Sequence, residues 1–113
     1  MQQISTHQLA DWLAAGKGAN VEQRQMPTLL DVRQPWEFER GHIPGSALMT
    51  MHTVPLRLSE LDKKADLVVI CEHGARSMQV AMFLENNGFS SIYNLAGGVS
   101  AWIRDVDPAL RKF

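Results

Sequence analysis

Cys71 is the only cysteine among 113 residues, and it stands where the apolar run Leu67-Val68-Val69-Ile70 gives way to the polar loop Glu72-His73-Gly74-Ala75-Arg76-Ser77. A cysteine acts as a nucleophile through its thiolate, and with an ordinary pKa of about 8.5 only a small fraction of a free thiol is ionised near neutral pH. Three features of this stretch are suited to stabilising negative charge on sulfur. They are the positive end of a helix starting near Ser77, backbone N–H groups exposed by a tight turn at Gly74, and the guanidinium of Arg76. Together they predict an anion cradle around one sulfur atom. Such a cradle favours the Cys71 thiolate and equally a negatively charged group attached to it, which is the requirement for a covalent intermediate.

The neighbouring side chains have plainer roles beside the chemical ones. Ser77 is a helix cap or a hydrogen-bond donor to the sulfur. His73 reads as a plain solvent-facing loop histidine, against the alternative that it tunes charge or contacts a substrate. Arg76 lines the pocket or braces the loop, against the plainer reading of a surface arginine that pairs with a nearby carboxylate. His42 suits a turn-fixing hydrogen bond better than metal binding, and His7 with Asp11, although at helical ligand spacing, supplies only two ligands, so no metal is expected. Gly97 and Gly98 permit a tight turn into a last helix, without the fuller glycine pattern of a phosphate site. Met49, Met51, Met78 and Met82 read as core or pocket fillers. Trp36, if exposed, would offer an apolar face beside the pocket to a partner.

The elements that must position these groups follow from periodicity. Ser5 and Gln8 resemble a capping box and open a helix at about 5 to 15, with Leu9, Trp12 and Leu13 on one face. The stretch 17 to 25 reads as loop. Strands are expected at Thr28 to Val32, Ser46 to Met49, Leu67 to Ile70 and Ile92 to Leu95. Short helices are expected from Pro35 to Gly41 and from Pro55 to Asp62, the latter with Leu58 and Leu61 inward. A longer helix spans Ser77 to Asn87, and an amphipathic one carries Val99, Trp102 and Ile103. Arg33 and Glu37, four apart, suggest a weak surface pair. Strands alternating with helices argue for an α/β domain with a mostly parallel sheet, whose ligands sit at the carboxyl ends of strands. Cys71 falls at such an end.

Composition sets the frame. With 45% hydrophobic residues, the 113-residue chain suffices for one core, and a single domain over 1–113 is expected. A formal net charge of −1 without blocks of like sign gives no case for nucleic acid or an anionic membrane as partner. The first residues lack the apolar core of a signal peptide and no apolar run approaches membrane-spanning length, so a soluble cytoplasmic protein is expected. One cysteine cannot form an internal disulfide or a two-thiol redox motif.

Three stretches carry a resemblance to a known family. They are Asp31-Val32-Arg33 followed by Trp36-Glu37-Phe38 and Gly41-His42-Ile43-Pro44-Gly45-Ser46; the loop from Cys71 to Ser77; and Asn94-Leu95-Ala96-Gly97-Gly98 leading to Ala101-Trp102. In this order, over about residues 4 to 104, the chain resembles a single-domain rhodanese, a sulfurtransferase that carries sulfane sulfur as a cysteine persulfide. The resemblance implies a mostly parallel five-stranded sheet with helices on both faces. It also implies Cys71 and Arg76 as catalytic residues, Glu72, His73, Gly74, Ala75 and Ser77 as the substrate-binding loop, and Asp31 and Arg33 as supports of the active-site end.

The implied reaction is ping-pong: Cys71 takes sulfur from a small donor such as thiosulfate or a persulfide and passes it to cyanide or to a thiol, either small or on a protein, with no metal or organic cofactor. Glu72 departs from the neutral or basic residues many family members carry there, and an anionic donor requires its side chain to point outward. From Cys71 to Arg76 is six residues, matching the rhodanese loop, whereas related phosphatases and arsenate reductases have one more. An oxyanion enzyme of that kind and a noncatalytic rhodanese-fold binding module are the two rival readings.

Overall fold

The computed structural model describes residues 1–16 and 25–111. The elements run β1 (Gln2–Ile4), α1 (Thr6–Gly16), β2 (Thr28–Asp31), α2 (Pro35–Glu39), β3 (Ala47–Leu48), β4 (Leu67–Ile70), α3 (Ala75–Asn86), β5 (Ile92–Leu95) and α4 (Gly98–Asp105). The strands form one sheet in the order β1-β5-β4-β2-β3, with every adjacent pair parallel. The connection β1-α1-β2 crosses the sheet in one direction and β4-α3-β5 in the other, so right-handed crossovers put α1 and α3 on opposite faces. Most of the loop expected at 17 to 25 lies outside the described residues. Among the described residues no helix is long and apolar enough to cross a membrane.

The period of two along β4 distributes its side chains between two cores. Leu67, Val69 and Cys71 pack with Val80, Ala81 and Leu84 of α3, while Val68 and Ile70 pack on the other face with Leu9 and Trp12 of α1 and Val99 and Trp102 of α4. Because all four residues of β4 are buried, its apolar run needs no alternation. Cys71 continues that strand onto the α3 face. Its thiol therefore sits where the sheet ends and α3 begins.

Several expectations are corrected. Periodicity marks four of the five strands and misses β1: of its three residues only Ile4 is buried, so it carries no alternating pattern and exists through its pairing with β5. The helix expected from Pro55 to Asp62 is instead two 3-10 turns, Met51–Leu56 and Leu58–Glu60, with Leu58 and Leu61 partly buried. Helix α3 begins at Ala75, two residues before Ser77, because Gly74 adopts the left-handed conformation that opens it. Met78 and Met82 lie on the exposed side of α3 and fill no core.

Arg33 departs furthest from its expectation. It lies before α2, outside the helix geometry that would bring it to Glu37, and it is fully buried. Its Nε donates to both Asp31 oxygens at 3.0 and 3.1 Å, and its Nη2 donates to Asp31 Oδ2 at 2.8 Å and to the Gly41 carbonyl at 2.9 Å. Asp31 is equally buried, so removing one partner strands a charge in the core. Arg33→Met is expected to lower unfolding free energy by about 3–5 kcal/mol in urea titrations, with part recovered in the Asp31→Asn, Arg33→Met double variant.

Candidate active site

The loop after β4 is fixed from two sides. The N–H groups at the start of α4 hold its first carbonyls: Val99 donates to the Cys71 carbonyl at 2.9 Å and Ser100 to the Glu72 carbonyl at 3.0 Å. A trans peptide directs its N–H opposite to its C=O, so the amides of Glu72 and His73 point away from α4. On the far side, Asn94 of β5 donates from Nδ2 to the Gly74 carbonyl at 3.2 Å and accepts from Ser77 Oγ at 2.5 Å. Within the loop the Gly74 N–H donates to Cys71 Sγ at 3.0 Å. This last contact aims a backbone donor at the sulfur, as the turn at Gly74 predicted.

Ser77 therefore neither caps α3 nor reaches the sulfur; its hydroxyl is committed to Asn94 inside the core. Asn94 was read only as part of the family stretch, and its bracing role depends on a contact between β5 and the loop that sequence spacing does not display. Cys71 is 1% exposed and packs at the margin of the α3-side core.

Two glycines make the close approach possible. Gly74 (φ 104°) opens α3, and Gly98 (φ 62°) lies so near the loop that a Cβ there would stand 2.3 Å from the Cys71 carbonyl oxygen and 2.5 Å from that of Glu72. The pair Gly97-Gly98 thus serves a tight turn packed on the loop backbone, in keeping with the reading against a phosphate site.

Asp31, Glu37 and Glu72, the carboxylates beside the loop, are each held by an arginine. Arg76 binds Glu37 of α2 through two parallel hydrogen bonds of 2.8 Å. The Glu37 bond raises the Arg76 pKa above its ordinary value against burial, with smaller contributions from the charges of Glu37, Cys71 and Glu72. In return, the Arg76 bond leads the causes that pull the Glu37 carboxyl from its ordinary 4.5 down to about 2; burial opposes it, and the Gln34 amide and the charges of Arg76 and Arg33 assist. The Glu72 carboxylate accepts from Arg33 at 3.2 Å, Ser100 at 2.6 Å and Arg111 at 2.5 Å. Burial pushes the Glu72 pKa up, yet the bonds from Arg111 and Ser100 and the charges of Arg111 and Arg33 outweigh it, and the net direction is down.

An open cleft of about 230 Å³ adjoins the loop, lined by Trp36, Glu37, Arg40, Glu72, His73, Ser100 and Arg111. Cys71 is not in its lining. Trp36 is 59% exposed, and His73 faces solvent. His42 fixes the turn after α2: its Nδ1 lies 3.0 Å from the Phe38 carbonyl oxygen, and the two rings stack 3.7 Å apart. Among the described residues no cluster of His, Cys, Asp and Glu could hold a metal ion.

Residues 9–105 match the family described as Rhodanese-like domain. The chain belongs to that family. A Sulfurtransferase of Allochromatium vinosum is 42% identical over 76 residues, covering 67% of this chain and 71% of the relative. A Thiosulfate sulfurtransferase GlpE of Pseudomonas syringae is 38% identical over 84 residues, covering 74% and 79%. Among solved structures, a rhodanese-like domain protein from Staphylococcus aureus superposes with a TM-score of 0.79 at 31% identity, covering 100% of this chain and 99% of that one. This rhodanese-like chain is thus related to sulfurtransferases, and its five-stranded parallel sheet with helices on both faces is the fold its sequence resemblance implied.

Two outcomes follow from the geometry. Gly98→Ala is expected to cost about 2–3 kcal/mol in chemical denaturation. Gly45→Ala is the control, since Gly45 has φ 88° but nothing within 4 Å of a Cβ, and is expected to cost only about 1–2 kcal/mol. For the Glu37–Arg76 pair the folded pKa is depressed, so its stabilisation is present above pH 4.5 and is lost as pH falls toward 2. Stability curves against pH should show Glu37→Gln below the parent protein above pH 4.5, with the gap closing over that window.

Proposed function

We propose that this protein is a sulfurtransferase that carries sulfane sulfur as a persulfide on Cys71. The observation that carries the reading is the Gly74 N–H aimed at Cys71 Sγ from 3.0 Å, inside a loop whose carbonyls are held outside it by α4. Preorganised backbone dipoles of this kind stabilise a thiolate and a thiolate-bound sulfur without having to reorient during reaction.

In the first half-reaction the Cys71 thiolate attacks the outer sulfur of thiosulfate or of a persulfide. A bond forms from Sγ to that sulfur, the donor's S–S bond breaks, and sulfite or a thiolate departs with the electron pair. In the second, an acceptor thiolate or cyanide attacks the same sulfur and Cys71 leaves as thiolate. Thiosulfate comes from the name of the Pseudomonas relative, and the burial of Cys71 supports a substrate of this type, since a terminal sulfur is a slender group able to enter a site with 1% exposure. The loop of six residues from Cys71 to Arg76 also fits one added sulfur better than a tetrahedral oxyanion. Arg76 is assigned to bracing the site entrance through Glu37, and Asp31 with Arg33 to supporting the loop from beneath. The reaction needs no metal or organic cofactor, and we place it in the cytoplasm with a small or protein-borne thiol as acceptor.

Purified protein mixed with thiosulfate or a small persulfide is expected to gain the mass of one sulfur atom and to lose it on adding cyanide or a thiol, read by intact-mass spectrometry. Cys71→Ser should gain nothing. A mass unchanged by every donor would favour a binding module instead, and hydrolysis of an aryl phosphate that disappears in Cys71→Ser would favour an oxyanion enzyme.

A further inference from the structure

Glu72 follows the thiol residue directly, yet its carboxylate is wholly engaged elsewhere. Arg33 Nη1 donates to Oε1, and both Ser100 Oγ and Arg111 Nη2 donate to Oε2. Arg33 is also committed to Asp31, so one guanidinium faces two carboxylates. That arrangement alone would leave a net negative charge beside the loop. Arg111 supplies the second cation and closes the balance.

Arg111 arrives from the far end of the chain on a segment with a built seat. Leu110 packs against the core cluster of α1 and α4, and its N–H donates to the Asp107 carbonyl at 3.2 Å. Its carbonyl oxygen lies where any Cβ on Gly41 would come within 2.5 Å, and the Gly41 carbonyl is in turn held by Arg33 at 2.9 Å. Arg33 thus supports the place where the segment lies and supplies the other half of the clamp on Glu72.

We infer that Arg111 is a positioning residue that sets the charge specificity of the site: with Arg33 it neutralises Glu72 and holds that carboxylate off the approach to Cys71, so that an anionic reactant meets a neutral loop. The inference rests on reading Cys71 as the reacting thiol. Without Arg111 the residue next to the sulfur regains an uncompensated charge. Across a partly screened gap of several ångströms, one unit charge changes the local concentration of a monovalent anion by about fivefold, and added salt shrinks the effect.

Because the chain has one cysteine, alkylation reports on it alone. Iodoacetate and iodoacetamide are close in size and differ in charge, so the ratio of their rates reads the field at the thiol, while changes in loop access largely cancel. Arg111→Ala is expected to lower the iodoacetate-to-iodoacetamide ratio about fivefold at low salt. Arg111→Lys should recover most of it. Adding Glu72→Gln to Arg111→Ala should also restore the ratio, which separates neutralisation of Glu72 from direct attraction by Arg111. A ratio unchanged in Arg111→Ala, or a fall that Glu72→Gln does not reverse, overturns the inference, as does a folded protein whose thiol reacts with neither reagent. Alkylation needs no sulfur donor, so a protein that no donor sulfurates still yields this ratio, and failure of the proposed function is told apart from failure of this inference.

Discussion

The bond from the Val99 amide to the Cys71 carbonyl, with its neighbour from Ser100 to Glu72, is the constraint on which the site depends. A loop of this length has few ways to turn its amides inward, because each peptide is planar and its two polar ends point opposite ways. Holding the carbonyls of residues 71 and 72 against α4 fixes the direction of the amides that follow. The first turn of α4 has unpaired N–H groups to offer, so the interaction satisfies both partners. It also requires backbone to lie on backbone, which Gly98 allows. Asn94 then secures the other side through Gly74 and Ser77, and the Gly74 amide is left facing the sulfur.

Around that backbone scaffold the side-chain charges are arranged so that no carboxylate acts on the thiol unopposed. Glu37 is matched by Arg76, Asp31 by Arg33, and Glu72 by Arg33 and Arg111 together. The partners come from β2 and the residues after it, α2, the loop, the start of α3 and the segment after α4, so the charge balance also ties distant parts of the chain to the active-site end of the sheet. Buried pairs of this type contribute little net stability when intact, but losing one member is costly. Their value here is geometric. They tie Arg33 to Asp31 and Gly41 and hold the Glu72 carboxylate on Arg33, Ser100 and Arg111.

What could be read from the sequence was what depends on local pattern. The run Leu67 to Ile70 gave a buried strand and so put Cys71 at its carboxyl end, and the turn at Gly74 foretold a backbone donor near the sulfur. Gly97 and Gly98 pointed to a tight turn, although the carbonyls they admit belong to a distant loop. The rest depended on contacts between residues far apart in the chain. Arg33 looked like a surface residue paired with Glu37, because nothing in the spacing shows that Asp31, Gly41 and Glu72 enclose it. Strand β1 has too little burial to leave a pattern, and Ser77 found its partner on β5. Arg111, near the end of a polar segment, had no local feature to set it apart.

The most direct test of the account is a crystal structure of the protein after treatment with a sulfur donor. The account predicts a second sulfur bonded to Cys71 Sγ and enclosed by the loop, with backbone amides of residues 72 to 76 within hydrogen-bonding distance and the Cys71 and Glu72 carbonyls still on α4. An unmodified thiol closed within the core, or a modified one whose surrounding amides point elsewhere, would contradict it.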